Sequence, residues 1–143
     1  MAEDKPIPNV TAKRSGINTY TVRSAGDAEL RIGSPGEEGV FSPVELLQAA
    51  IAGCAAMSAE PQLTSQLGKD FAATTTVEAV QDPEDNRLDK LITTISTDMA
   101  GLDPEKRDKL ISRSEKFIEK LCTVKRTLQH GVETETSVRD GHS

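Results

Sequence analysis

Ser42-Pro43-Val44-Glu45-Leu46-Leu47-Gln48-Ala49-Ala50-Ile51-Ala52-Gly53-Cys54-Ala55-Ala56-Met57 is the stretch on which the reading of this chain turns. Serine followed by proline is a helix start: the serine oxygen caps, and proline suits the first helical position, where its missing N–H costs nothing. Glu45 falls at the third helical position and completes a capping box with Ser42. The pattern predicts a helix from Val44 to about Leu67, with Pro61 expected to end or kink it midway. Its centre, Ala49 to Met57, carries no charge and small side chains. That composition predicts burial and the close approach of another backbone. Gly53 costs roughly 1 kcal/mol against alanine in a helix interior, so a packing reason is expected for it.

Working outward, Gly33-Ser34-Pro35-Gly36-Glu37-Glu38-Gly39 before the helix is a loop, since no regular element holds so many breakers. Two short strands precede it. Ile17 to Arg23 alternates, with Tyr20 and Val22 on one face, and Glu29 to Ile32 follows the turn Ala25-Gly26-Asp27. A further strand is allowed near Val10 to Lys13. Beyond the helix, Phe71 to Gln81 and Leu88 to Met99 alternate on either side of Asp82-Pro83-Glu84-Asp85-Asn86, which predicts an antiparallel hairpin. Asp103-Pro104-Glu105 opens a second helix with the apolar stripe Leu110, Ile111, Ser114, Phe117, Ile118 and Leu121, and Cys122 ends that stripe. Thr123 to His130 reads as one more helical piece capped by Gly131, and Val132 to Val138 as a last strand. Segregated helices and antiparallel strands make the class α+β. Residues 1–9 read as a flexible N-terminal arm, 10–138 as a single domain, and 139–143, with His142, as a C-terminal tail.

Composition narrows the function. Among 143 residues there are three Phe, one Tyr and no Trp, so Ala, Leu, Ile and Val must fill the core. A chain so poor in large side chains commonly hides apolar area in a subunit interface. The net charge of −6, with no block of Lys and Arg longer than two, argues against nucleic acid and anionic membrane as partners. No apolar run approaches the ~20 residues that span a bilayer, and Met1-Ala-Glu-Asp-Lys-Pro lacks the apolar stretch of a signal peptide. The expected location is the cytoplasm, where Cys54 and Cys122 would stay reduced and any pairing would be transient. Zinc-binding spacings, a phosphate loop, a dinucleotide fingerprint and a Gly-x-Ser-x-Gly elbow are all missing.

The cysteines are what remains. A cysteine in an alanine-rich helix, or at the end of an apolar stripe, is commonly just a small apolar residue. The surroundings of both say more. Ser42 to Cys54 resembles the first signature of the OsmC/Ohr family of thiol-dependent peroxidases, in which Pro-x-Glu-Leu-Leu leads into a small-residue helix ending at Gly/Ala-Cys. Leu121-Cys122-Thr123-Val124-Lys125-Arg126-Thr127-Leu128 resembles the second, in which Cys is followed by Pro-Val-x-x-Thr-Leu; Thr123 replaces that proline. The order of elements and the cysteine spacing fit as well, so the resemblance covers essentially the whole chain.

The resemblance implies an OsmC-like fold: antiparallel sheets wrapped around central helices in an intertwined homodimer. It also implies a reaction on organic hydroperoxides in oxidative-stress defence. Cys54 maps to the cysteine that attacks the peroxide, and Cys122 to the one that resolves the sulfenic acid as a disulfide. No resident cofactor is implied; the reductant is an external dithiol, lipoylated in characterised relatives. The family's thiolate-stabilising arginine maps best to Arg14 in Lys13-Arg14-Ser15-Gly16, with Arg23 and Arg31 as fallbacks. A cation is expected there because Cys54 lies mid-helix, where its own helix N-terminus stabilises a thiolate only weakly. The glutamate that orients that arginine falls at Val44 here. Glu45, one residue on, lies nearly opposite Cys54 around the helix and reads as a cap. Two rivals stay open. One is a non-peroxidase relative that binds a small apolar or thiol-reactive ligand between subunits; the other is a stress-induced structural protein without turnover.

Overall fold

The computed structural model describes residues 5–141. The first four residues of the expected arm and the last two of the tail, His142 among them, lie outside the described residues. The order of elements is β1 (Thr11–Gly16), β2 (Thr19–Arg23), β3 (Glu29–Ile32), α1 (Pro43–Leu67), β4 (Ala73–Gln81), β5 (Leu88–Thr97), α2 (Pro104–Leu121) and α3 (Thr123–His130). The class is α+β with antiparallel sheets, as expected. The chain divides into two compact units, 1–49 and 50–143, and α1 runs from one into the other.

In the first unit β1, β2 and β3 form an antiparallel meander in chain order. Gly16 pairs with Thr19, so Ile17 and Asn18 are the hairpin turn and not the start of a strand. The turn requires a left-handed residue, and Asn18, with φ 49°, is a side chain that tolerates it. The strand allowed near Val10 is realised as β1. The breaker-rich loop then folds back: the Phe41 N–H donates to the Arg31 carbonyl and the Gly33 N–H to the Phe41 carbonyl, both at 2.9 Å. Gly33 is buried, and a Cβ there would stand 2.8 Å from Val40 Cγ2 and 2.9 Å from a Glu37 carboxylate oxygen, so any other residue would force those side chains to shift.

This loop delivers Ser42 to the head of α1. The Ser42 N–H donates to Glu45 Oε1 at 2.8 Å, and the Glu45 N–H to Ser42 Oγ at 3.2 Å. The capping box read from the sequence is present, and Ser42, through its backbone N–H first and its hydroxyl second, holds the Glu45 carboxyl below its ordinary pKa. Glu45 is thereby committed to the helix start.

Pro61 does not end α1, contrary to expectation. Proline forfeits one backbone hydrogen bond and crowds the preceding turn, at a cost of about 3 kcal/mol. The helix face on either side is anchored, however. Ile51, Ala55, Ala59 and Leu63 recur every four residues and are all buried. Ala59 and Leu63 form the core of the second unit with Leu110 of α2, and Leu67, Phe71, Ile95, Met99, Leu102 and Ile118 pack around them. The opposite face of α1 is another matter. Met57 is 76% exposed, and a Cβ added to Gly53 would meet nothing within 4 Å. The all-round burial expected of this helix is therefore not met within one chain.

The hairpin of β4 and β5 alternates as the sequence suggests, with Val77 and Ala79 on one strand and Leu91, Thr93 and Ile95 on the other turned to the half-buried face. Arg87 pins its turn through ion pairs with Asp82, Asp85 and Asp89. α2 starts as read, with Asp103 accepting from the Lys106 N–H at 2.9 Å and Pro104 at the first position. Its expected apolar stripe narrows: Leu110 and Ser114 are buried, while Ile111, Phe117 and Leu121 stay exposed. Val132 to Val138 forms no strand. The alternation is there, but a strand needs a neighbouring edge, and among the described residues none pairs with it. Val138 is 98% exposed.

Candidate active site

One residue separates α2 from α3. Cys122 leaves the helical conformation (φ −72°, ψ 98°), so it closes one helix and opens the next. Its N–H still donates to the Ile118 carbonyl at 3.0 Å, and its carbonyl accepts from the Arg126 N–H at 2.9 Å. The first backbone N–H groups of α3 have no carbonyl four residues behind them within that helix. No side chain supplies a capping hydrogen bond at Cys122 either.

Cys54 of α1 meets this junction. The N–H groups of Val124 and Thr123 and the thiol of Cys122 all bear on its sulfur. Its own carbonyl accepts a hydrogen bond from Ser58 Oγ at 2.8 Å. Cys122 is wholly buried, Cys54 is half-buried, and both are free thiols.

The two thiols are pushed in opposite directions. The Cys54 pKa is lowered, chiefly by the Val124 N–H; burial works against this, and the Cys122 thiol and the Thr123 N–H add to it. The Cys122 pKa is raised, chiefly by burial. The Lys125 backbone N–H opposes that rise, Cys54 adds to it, and the Lys125 charge acts downward. Lys125 is itself ion-paired with Glu119. The pair therefore holds one sulfur disposed to be a thiolate beside one disposed to stay protonated. Neighbouring titratable groups split in this way divide chemical roles between them. A low-pKa, partly accessible thiolate is a nucleophile, and an adjacent neutral thiol can condense with what it becomes.

Among the groups of its own unit, the leading influence on Cys54 is the backbone of α3. The helical reading of Thr123 to His130 already contained those N–H groups. What the sequence could not show is that the middle of α1 comes to rest against them. Arg14 stands exposed on β1 opposite Tyr20, Arg23 pairs with Glu29 at 3.5 Å, and the Arg31 guanidinium lies beside Gly39. All three belong to the unit that ends at Ala49, whereas both cysteines lie in the other. Among the described residues no group of three His, Cys, Asp or Glu could hold a metal ion, and no helix is long and apolar enough to cross a membrane.

Residues 36–137 match the family model described as OsmC-like protein. An uncharacterised protein of Mycobacterium bovis is 33% identical over 128 residues, covering 90% of this chain and 93% of its own. Among solved structures, the organic hydroperoxide resistance protein OhrB of Bacillus subtilis is 25% identical, covers 85% of this chain and 90% of its own, and superposes with a TM-score of 0.55. An organic hydroperoxide resistance protein OsmC of Legionella pneumophila is 18% identical, with 89% and 92% covered and a TM-score of 0.60; at that identity the likeness is one of fold.

Proposed function

This chain belongs to the OsmC-like family, and from that premise we propose that it reduces organic hydroperoxides with Cys54 as nucleophile and Cys122 as resolving thiol. The observation that supports this reading is the pair of neighbouring free thiols, Cys122 wholly buried and Cys54 half-buried, with burial favouring the neutral thiol at Cys122 and hydrogen bonding favouring the thiolate at Cys54. The Cys54 thiolate attacks the terminal peroxide oxygen. The O–O bond breaks, the alkoxide takes a proton to leave as alcohol, and Cys54 becomes a sulfenic acid. The Cys122 sulfur then displaces the hydroxyl group, releasing water and forming the disulfide. An external dithiol, of lipoyl type in the simplest case, returns both thiols by exchange. No resident cofactor enters these steps. Arg14 is the residue we assign to stabilise the Cys54 thiolate and to hold the peroxide. The setting is a reducing cytoplasm, where the disulfide lasts only as long as the cycle.

The competing reading, a relative that binds a small ligand without turnover, draws on Val44, which stands where the family's orienting glutamate falls. One equivalent of cumene hydroperoxide separates the two. The peroxidase reading expects loss of both free thiols and a 2 Da decrease in the intact chain. Survival of both thiols overturns it.

We further propose a homodimer in which residues 10–138 act as one domain. The exposed face of α1 supports it, with Met57 bare and Gly53 open to a second backbone; so do the exposed Ile111, Phe117 and Leu121 of α2. Light scattering should give about twice the 15.4 kDa chain mass at micromolar concentration. Gly53→Leu should shift the protein toward monomer, because the added side chain has room in one chain but not between two. A folded monomer of the unaltered chain would rule the dimer out.

A further inference from the structure

We propose that Glu119 and Lys125 form a strut across the α2–α3 corner that holds Cys122 in place against Cys54, which makes both of them positioning residues for closure of the disulfide. This deepens the peroxidase reading, whose second step the strut serves, and rests on it for its catalytic meaning.

The direction of α3 relative to α2 is set at one extended residue, Cys122. Its N–H bonds back to Ile118 and its carbonyl accepts from Arg126, so each of these hydrogen bonds prolongs one helix without tying it to the other. The Glu119–Lys125 ion pair does cross the corner. Glu119 stands three residues before Cys122 in the last turn of α2, and Lys125 three residues after it in the first turn of α3. Glu119 also has Lys116 one turn back on its own helix, at a spacing that suits an in-helix pair, yet its carboxylate reaches forward to Lys125. Neither charge serves its own helix. A carboxylate at a helix C-terminus and an ammonium at an N-terminus both oppose the helix dipole, so the contact between the helices is what accounts for them.

The Lys125 side chain is 28% exposed, so the pair is screened less than one standing free in water. What it braces is the sulfur pair: Cys122 is wholly buried, Cys54 half-buried, and the fold brings them near each other. Closure of such a pair depends on how often the two sulfurs meet in the geometry of the bond, and that frequency falls when one is free to swing. Removing either charge loosens the corner, so both removals act in the same direction. A field effect behaves differently: if charge alone mattered, losing the cation and losing the carboxylate would act in opposite directions.

The test is the equilibrium of the full chain with reduced and oxidised glutathione at pH 7, read by mass spectrometry after acid quenching and alkylation. In that exchange the two thiols give up two electrons and two protons to one glutathione disulfide, which becomes two glutathione molecules. Lys125→Met and Glu119→Gln should each lower the disulfide equilibrium constant by about two- to fivefold, the range that a partly exposed ion pair supplies. The exchanged pair, Glu119→Lys with Lys125→Glu, should restore most of the loss. Opposite shifts in the two single variants overturn the strut, as do unchanged constants or an exchanged pair no better than the singles. Salt gives a measurement that does not need the exchanged pair to fold. Raising sodium chloride from about 0.05 M to about 1 M should lower the constant of the unaltered protein toward that of Lys125→Met, whose own constant should hardly move. An equal salt response in both proteins overturns the strut. Cumene hydroperoxide consumption is followed in parallel. The expected glutathione shifts in a protein that never consumes the peroxide sink the peroxidase reading and leave the strut standing; turnover with unmoved constants does the reverse.

Discussion

Cys54→Ser is expected to bring hydroperoxide reduction down to the uncatalysed rate, whereas Cys122→Ser should complete one round per chain and then stop. The asymmetry follows from the two environments. Of the two cysteines only Cys54 combines partial exposure with a lowered pKa, so on the proposed peroxidase reading removing it removes the nucleophile. Serine at 54 does not substitute, since its hydroxyl stays protonated at neutral pH. Cys122 is wholly buried and pushed toward the neutral thiol, which suits the second step and not the first. Without it the sulfenic acid at Cys54 has no partner and meets further peroxide. Mass spectrometry of Cys122→Ser should show gains of about 16 and then about 32 Da at Cys54, the sulfenic and sulfinic acids. Equal and complete loss in both variants, or undiminished turnover in Cys122→Ser, would break the division of roles.

The largest stability effect is expected at Leu110. It is 2% exposed and joins α2 to Ala59 and Leu63 of α1, with β5 reaching the same cluster through Ile95. Its neighbours in the cluster include an alanine, which has no spare volume to move into a vacated space. Leu110→Ala should therefore lower unfolding stability by about 2–5 kcal/mol, the usual range for a truncation that leaves a cavity. Against a typical total of about 5–15 kcal/mol this is a large fraction. Urea unfolding, followed by far-ultraviolet circular dichroism at fixed protein concentration, measures it. A change below about 1 kcal/mol would mean that the core lies elsewhere.

Where the chemistry is local, the sequence was a good guide. The Ser42–Glu45 box, the Asp103-Pro104 start and the alternation of Val77, Ala79, Leu91 and Ile95 each depend on near neighbours, and each is present. Pro61 misled because a local penalty was outweighed by burial of Ala59 and Leu63, which are core residues only by virtue of α2. Val132 to Val138 misled for the opposite reason: alternation marks a segment fit for pairing but does not supply an edge to pair with. At the candidate site, the sequence singled out both cysteines from their surroundings, and the fold brings them near each other. The groups that lower the Cys54 pKa were not legible, because which of them come near Cys54 depends on how α1 packs against the α2–α3 junction. Periodicity carries no record of that.

The single-residue junction at Cys122 also limits how this chain can vary in length. Connections between helices usually tolerate an inserted or deleted residue, because a surface loop absorbs the change. Here no loop exists to absorb it. One residue more between Leu121 and Thr123 would change both the direction and the rotational phase of α3 relative to α2, because the junction is a single extended residue. The N–H groups that face Cys54 would swing away, and the sulfur of residue 122 would move with them. Substitutions along the exposed faces of either helix leave that phase untouched. The spacing from Leu110 to Val124 is thus a fixed length, measured out by the core at one end and by the Cys54 sulfur at the other.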